Sequence, residues 1–103
     1  MVYDTAYNIF SAFEREKFKG KNELTVHYFD CDLLIVDDLG TELVTPFTVS
    51  ALYNLINTRL LEGRRMVINT NYEMSELENY YSERVTVRLL REFSILKFAN
   101  RVF

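Results

Sequence analysis

The chain has 103 residues, of which 49% are hydrophobic and 26% charged, with a formal net charge of -3. That length holds one small domain, which should bury roughly 60% or slightly more of the surface its unfolded chain exposes. The composition excludes a disordered chain, the absence of any sustained apolar run of about 18 residues excludes a membrane-spanning helix, and the acidity argues against a dedicated, strongly basic nucleic-acid binder.

The opening "MVYDTAYNIFSAFEREKFKG" begins with a short apolar strand, Met1 to Tyr3, after which Asp4 or Thr5 can cap a helix. Tyr7, Ile9, Phe10, Phe13 and Phe18 recur at spacings near three and four, which predicts an aromatic core stripe. Lys17, Lys19, Gly20 and Lys21 end that helix in a basic loop, either a solvated turn favoured by the helix dipole or a phosphate-contacting surface. "ELTVHYFDC" then leads into the next strand. The single His27 has no second His or Cys placed for a zinc site and reads as a loop or strand-edge residue. The lone Cys31 reads as a small residue at a strand entrance. It cannot form an internal disulfide and, with no signal-peptide pattern at the start, a reducing cytoplasm is the expected location.

"DLLIVDDLGTE" poses the central question. Leu33, Leu34, Ile35 and Val36 suit a strand covered on both faces, yet Asp37 and Asp38 follow at once. They are either the polar turn where a strand surfaces or a site for chemistry. "TPFTVSALYNLINTRLLEGRR" is the clearest helix, with Thr45 as cap, Pro46 in the first turn, and Phe47, Val49, Leu52, Leu55, Ile56 and Leu60 as apolar positions before Gly63 ends it. "MVINTNY" is a further short strand stopping at Asn69, a second helical region starts near Ser75, and "SILKFANRVF" reads as a last strand. Alternating strands and helices imply one α/β domain with a parallel sheet and helices on both of its faces.

Ligands of such sheets bind beyond the carboxyl ends of the strands. Asp37, Asp38 and Asn69 occupy two such ends, so adjacent strands would bring two carboxylates and a carboxamide to one crevice. One acid can hold magnesium through its water shell while the other polarises an attacking water, the demand of nucleotide hydrolysis. Asn69 orients that water, contacts a phosphate, or is simply a turn residue. Arg84 and Arg88, four apart on one helical face, suit charge stabilisation at a neighbouring subunit's nucleotide, or surface ion pairs with Glu83 and Glu92; Arg91 extends the same basic face.

With these residues in order, the chain resembles the AAA+ ATPases that load replicative helicases in bacteria, and the similar helper ATPases of insertion-sequence transposition. "LLIVDDLGTE" resembles their Walker B segment, "VINTN" their sensor 1 strand, and "SERVTVRLL" the segment bearing their arginine finger. The resemblance implies a three-layer P-loop NTPase fold with ATP and magnesium as ligands. Asp37 would be the magnesium-associated acid, Asp38 the catalytic carboxylate that also attends the metal, and Asn69 the sensor. Arg88 is the better match to the finger and Arg84 the second. Arg101 falls near a nucleotide-contacting sensor 2 arginine. The implied partners are a replicative helicase and single-stranded DNA; a transposition helper or a non-catalytic interaction module are the alternatives.

The family's phosphate loop, G-x-x-x-x-G-K-[ST], has no counterpart, since the only glycines are Gly20, Gly40 and Gly63. The 103 residues are therefore expected to be a partial AAA+ domain, from Walker B to the sensor 2 region, with doubtful nucleotide binding and no hydrolysis alone. In the superfamily's strand order the absent strand lies between the Asn69 strand and the last one, around Ile95 to Phe98. The strands around Val2, Ile35 and Val67 should then pair contiguously and leave "MVIN" as an apolar edge, closed either by the last strand shifting in beside it or by a second copy of the chain, with self-association expected where closure is incomplete.

Overall fold

The computed structural model describes residues 1–20, 25–40 and 44–93. Three strands, β1 (Val2–Thr5), β2 (Leu33–Leu39) and β3 (Arg65–Thr70), form a parallel sheet in the order β1-β2-β3, the contiguous pairing expected from sequence. The connections carry helices α1 (Ala6–Lys19), α2 (Val26–Asp30) and α3 (Pro46–Leu61), and α4 (Met74–Tyr81) and α5 (Glu83–Glu92) follow the sheet. The last strand expected from Ser94 onward, and Arg101 with it, lies outside the described residues.

Local chemistry accounts for the helix starts. The Thr5 hydroxyl accepts from the Asn8 amide at 3.1 Å to cap α1, and Thr45 and Thr48 form a reciprocal capping box at α3 with Pro46 in the first turn. The region read as one helix from Ser75 is two, because Ser82 takes a φ of 93° and interrupts the backbone ladder. "VHYFD", read as a lead into the strand, closes a short helical turn instead, and His27 is an exposed residue within it.

Register explains the core. Val2, Leu34 and Met66 form one cross-strand row and Asp4, Val36 and Ile68 a second on the same face. Leu34 and Val36 are fully enclosed there under α1 and α3, together with Ile9, Phe10, Leu52, Leu55 and Ile56. The opposite row, Tyr3, Ile35 and Val67, is more open: Tyr3 is 60% and Val67 49% exposed. Among the described residues the four-aliphatic run of β2 is therefore sealed on one face and only half-buried on the other. The aromatic stripe of α1 is also narrower than its spacing implied. At 3.6 residues per turn the buried face centres on Ile9 and Glu16, while Tyr7 and Phe18 sit about 160° and 180° away and are exposed.

One polar side chain ties the base of the sheet together. Arg59 of α3 has no solvent exposure, and its guanidinium donates to the carbonyls of Tyr28 at 3.0 Å, Phe29 at 3.1 Å and Arg65 at 2.5 Å. It caps the last turn of α2 and reaches the first residue of β3 at once, a geometry that a planar fork provides and a lysine cannot. Its position, three residues past Ile56 on the apolar stripe, is the only sequence hint. Replacing Arg59 with Met should lower unfolding free energy by about 2–4 kcal/mol, because buried carbonyls lose their donors. Arg59→Lys should recover only part of that loss in urea denaturation; a change below about 1 kcal/mol would show that relief of the buried charge offsets the lost bonds.

Candidate functional site

The parallel register brings one residue from each strand to the carboxyl end of the open face. Val36 pairs with Ile68, so the next residues, Asp37 and Asn69, stand side by side, and the Asn69 carboxamide donates to Asp37 Oδ1 at 2.7 Å. From the other side the Tyr3 phenol donates to Asp37 Oδ2 at 2.5 Å. The carboxylate thus accepts a side-chain bond on each oxygen, one from each flanking strand, and a further bond from the backbone N–H of Asp38. The Tyr3 bond first and the Asn69 bond second hold the Asp37 carboxyl below its ordinary range, against a smaller opposing effect of desolvation, and the same contact raises the Tyr3 phenol above its own. Asn69 and Asp37 meet as their sequence positions implied. Tyr3 was not anticipated, since a tyrosine in a short N-terminal strand carries no motif.

Asp38 is set apart from Asp37 by the backbone. Strand pairing is regular to Val36 and resumes one residue out of step at Leu39, which pairs with Thr70. Asp38 takes the slack with a φ of 53°, a left-handed conformation that aspartate tolerates better than most residues. The bulge returns Leu39 to the core, 2% exposed, and leaves Asp38 at the surface. The loops beyond are stitched together: the Thr70 hydroxyl donates to the Leu39 carbonyl at 2.6 Å and the Tyr72 hydroxyl to the Gly40 carbonyl at 3.1 Å. Gly40 has a φ of 114°, and a Cβ there would lie 2.6 Å from the Tyr72 ring. Glycine is required on both counts. Tyr72 in turn stacks on Tyr80, with centroids 5.1 Å apart.

Arg84 and Arg88 project from α5 against α3. Their guanidiniums lie 4.3 Å and 5.9 Å from the centre of the Tyr53 ring, at a groove of about 430 Å³ also lined by Glu83, Val87, Arg91 and Glu92. Arg88 foremost, then Arg84, holds the Tyr53 phenol below its ordinary value. The described contacts of these arginines are with Tyr53, not with Asp37 or Asn69.

No cluster of three or more His, Cys, Asp or Glu side chains suited to a metal occurs among the described residues. Asp37 nonetheless fits a cation that keeps most of its waters: it is held ionised, and its two oxygens offer about four acceptor positions against the three hydrogen bonds described.

Three parallel strands, helical crossovers and polar residues at the carboxyl strand ends define an α/β fold of the P-loop NTPase type. The chain is similar to the crystal structure of the DnaC helicase loader, with a TM-score of 0.80 over 90% of this chain at 17% sequence identity. It spans 58% of the length of that chain. No protein-family model matches, and neither does any curated protein. No described helix is long and apolar enough to cross a membrane.

Two outcomes follow from this geometry. Because its folded value is depressed, Asp37 contributes stability above the pKa of an unfolded carboxylate and loses it as pH falls through the folded value. Tyr3→Phe removes the largest cause, so the Asp37 carboxyl carbon, followed by NMR, should titrate at higher pH, closer to an ordinary aspartate. Gly40→Ala should cost about 1–3 kcal/mol in thermal or urea unfolding, the range for backbone strain at a single residue, and should displace the Tyr72 ring.

Proposed function

We propose that the chain supplies the acid-and-sensor half of the nucleotide site in a helicase-loader-type AAA+ ATPase. The observation that carries this reading is the 2.7 Å bond between Asn69 and Asp37 at adjacent strand ends, in a fold shared with the DnaC helicase loader. In this reading Asp37 receives the water shell of magnesium, and Asp38, at the surface beside it, is the carboxylate that accepts a proton from the attacking water. Asn69 holds Asp37 and senses the terminal phosphate. A magnesium ion, when bound with ATP, would neutralise charge on the phosphates. Arg88, with Arg84 second, reaches the nucleotide of an adjacent subunit, and the Tyr53 ring of α3 holds both guanidiniums beside it. Arg101 is proposed as a further nucleotide contact. A replicative helicase and single-stranded DNA are the proposed partners, self-association the proposed assembly, and the cytoplasm the proposed location.

The 103 residues contain no glycine-rich phosphate loop, and this favours a second reading for the chain by itself: an interaction module with the fold but no turnover. A transposition helper shares the same site chemistry. Isolated protein mixed with Mg·ATP should release no phosphate above background, because the backbone amides and lysine that cradle phosphates are absent. Amide and carboxamide resonances of Asp37, Gly40 and Asn69 should nevertheless shift weakly with Mg·ATP, and Asp37→Ala should abolish the shifts. Shifts confined to other regions would sink the nucleotide-site reading, and robust hydrolysis lost in Asp38→Asn would sink the non-catalytic one.

A further inference from the structure

Tyr3 belongs to none of the motifs, is 60% exposed, and makes its one described hydrogen bond to Asp37. Packing does not account for an aromatic ring that stands largely in water. Its register does account for the contact. Tyr3 pairs with Ile35, on the same face as Asp37 and one strand over, so the long phenol spans the diagonal to the carboxylate that a shorter side chain would miss.

We propose that Tyr3 is a positioning residue for Asp37, fixing its carboxylate in the one orientation that presents its remaining lone pairs to the water shell of a divalent cation. The inference rests on the magnesium reading of Asp37 given above. The terminal torsion of an aspartate is broad, and apart from Tyr3 the one described side-chain donor to it is Asn69, on a single oxygen. A second donor on the other oxygen, from the opposite strand, closes the arc through which the group can swing. The bond is short, at 2.5 Å, as expected for a hydroxyl donating to an ionised acceptor. Outer-shell partners of this kind typically alter metal affinity by about 10–100-fold when removed.

Tyr3→Phe keeps the ring and deletes only the donor, and the full 103-residue chain is the sample. Without metal, the Asn69 carboxamide resonances should shift or broaden in Tyr3→Phe while the melting temperature stays within a degree or two of wild type; unchanged Asn69 resonances would overturn the positioning role. With Mn²⁺ alone as probe, paramagnetic broadening should centre on Asp37 and Asn69, vanish in Asp37→Asn, and require about tenfold more Mn²⁺ in Tyr3→Phe. Wild-type broadening with the same midpoint in Tyr3→Phe would overturn the role of Tyr3 and leave the cation reading standing. No broadening at Asp37 in wild type would overturn the cation reading, and the proposal toward metal with it.

Discussion

The buried guanidinium of Arg59 governs the arrangement of everything above it. It joins the carbonyl end of α2, which delivers the chain to β2, to the first residue of β3. Both strands are thereby anchored at their amino ends. Side chains alternate between faces along a strand, so a slip of one residue would send Asn69 toward the core side and Thr70 toward the open face. The contact between Asp37 and Asn69 lies at the far end of the same pair of strands, and it exists because the register is fixed at the near end. A charge with no carboxylate partner among the described residues is a costly way to fix it, yet the guanidinium satisfies three carbonyls from two segments, which no apolar side chain could.

The bulge at Asp38 divides the two acids into different roles. A regular strand would place Asp37 and Asp38 on opposite faces, and one of them would enter the core as an unpaired carboxylate. The left-handed turn of Asp38 instead hands the inward position to Leu39 and keeps both acids on the solvent side of the sheet end. The strain is met by the loops that follow: Thr70 and Tyr72 accept the consequences of the bulge by donating to the carbonyls of Leu39 and Gly40. The site is thus built from backbone irregularity held by side chains, a common arrangement where a strand end must expose polar groups.

Much of this was legible in the residues. Asp37, Asn69, Thr5, Thr45 and Pro46 announce themselves through local chemistry, because strand ends and helix starts depend on near neighbours in sequence. The parallel sheet followed from alternation of the elements, and its contiguous order from the family resemblance. Arg59, Tyr3 and the break at Ser82 were not legible. Arg59 and Tyr3 depend on contacts with distant segments, Arg59 on carbonyls about 30 residues away and Tyr3 on an acid 34 residues on, whereas the break at Ser82 is a positive backbone φ that no residue type there announces. The width of the α1 stripe failed for a different reason. Aromatic spacing was read without angular position, and Tyr7 and Phe18 belong to the far side of the helix.

The acids and the arginines occupy different surfaces, and that separation bears on how such a chain could work. Asp37 and Asn69 end two strands on the open face, whereas Arg84 and Arg88 are drawn along α5 onto the Tyr53 ring, itself carried by α3, which covers the other face. Arginine beside a tyrosine ring retains its charge and its planar donors while losing freedom, so the ring presents the guanidiniums outward at low entropic cost. Surfaces of opposite charge on two sides of one small domain are too far apart to meet within one copy and could meet only between copies. Repeating such a contact head to tail generates a ring or a filament according to whether the rotation closes. On the proposed trans-acting role of Arg88, this separation is what a site shared between two copies would require.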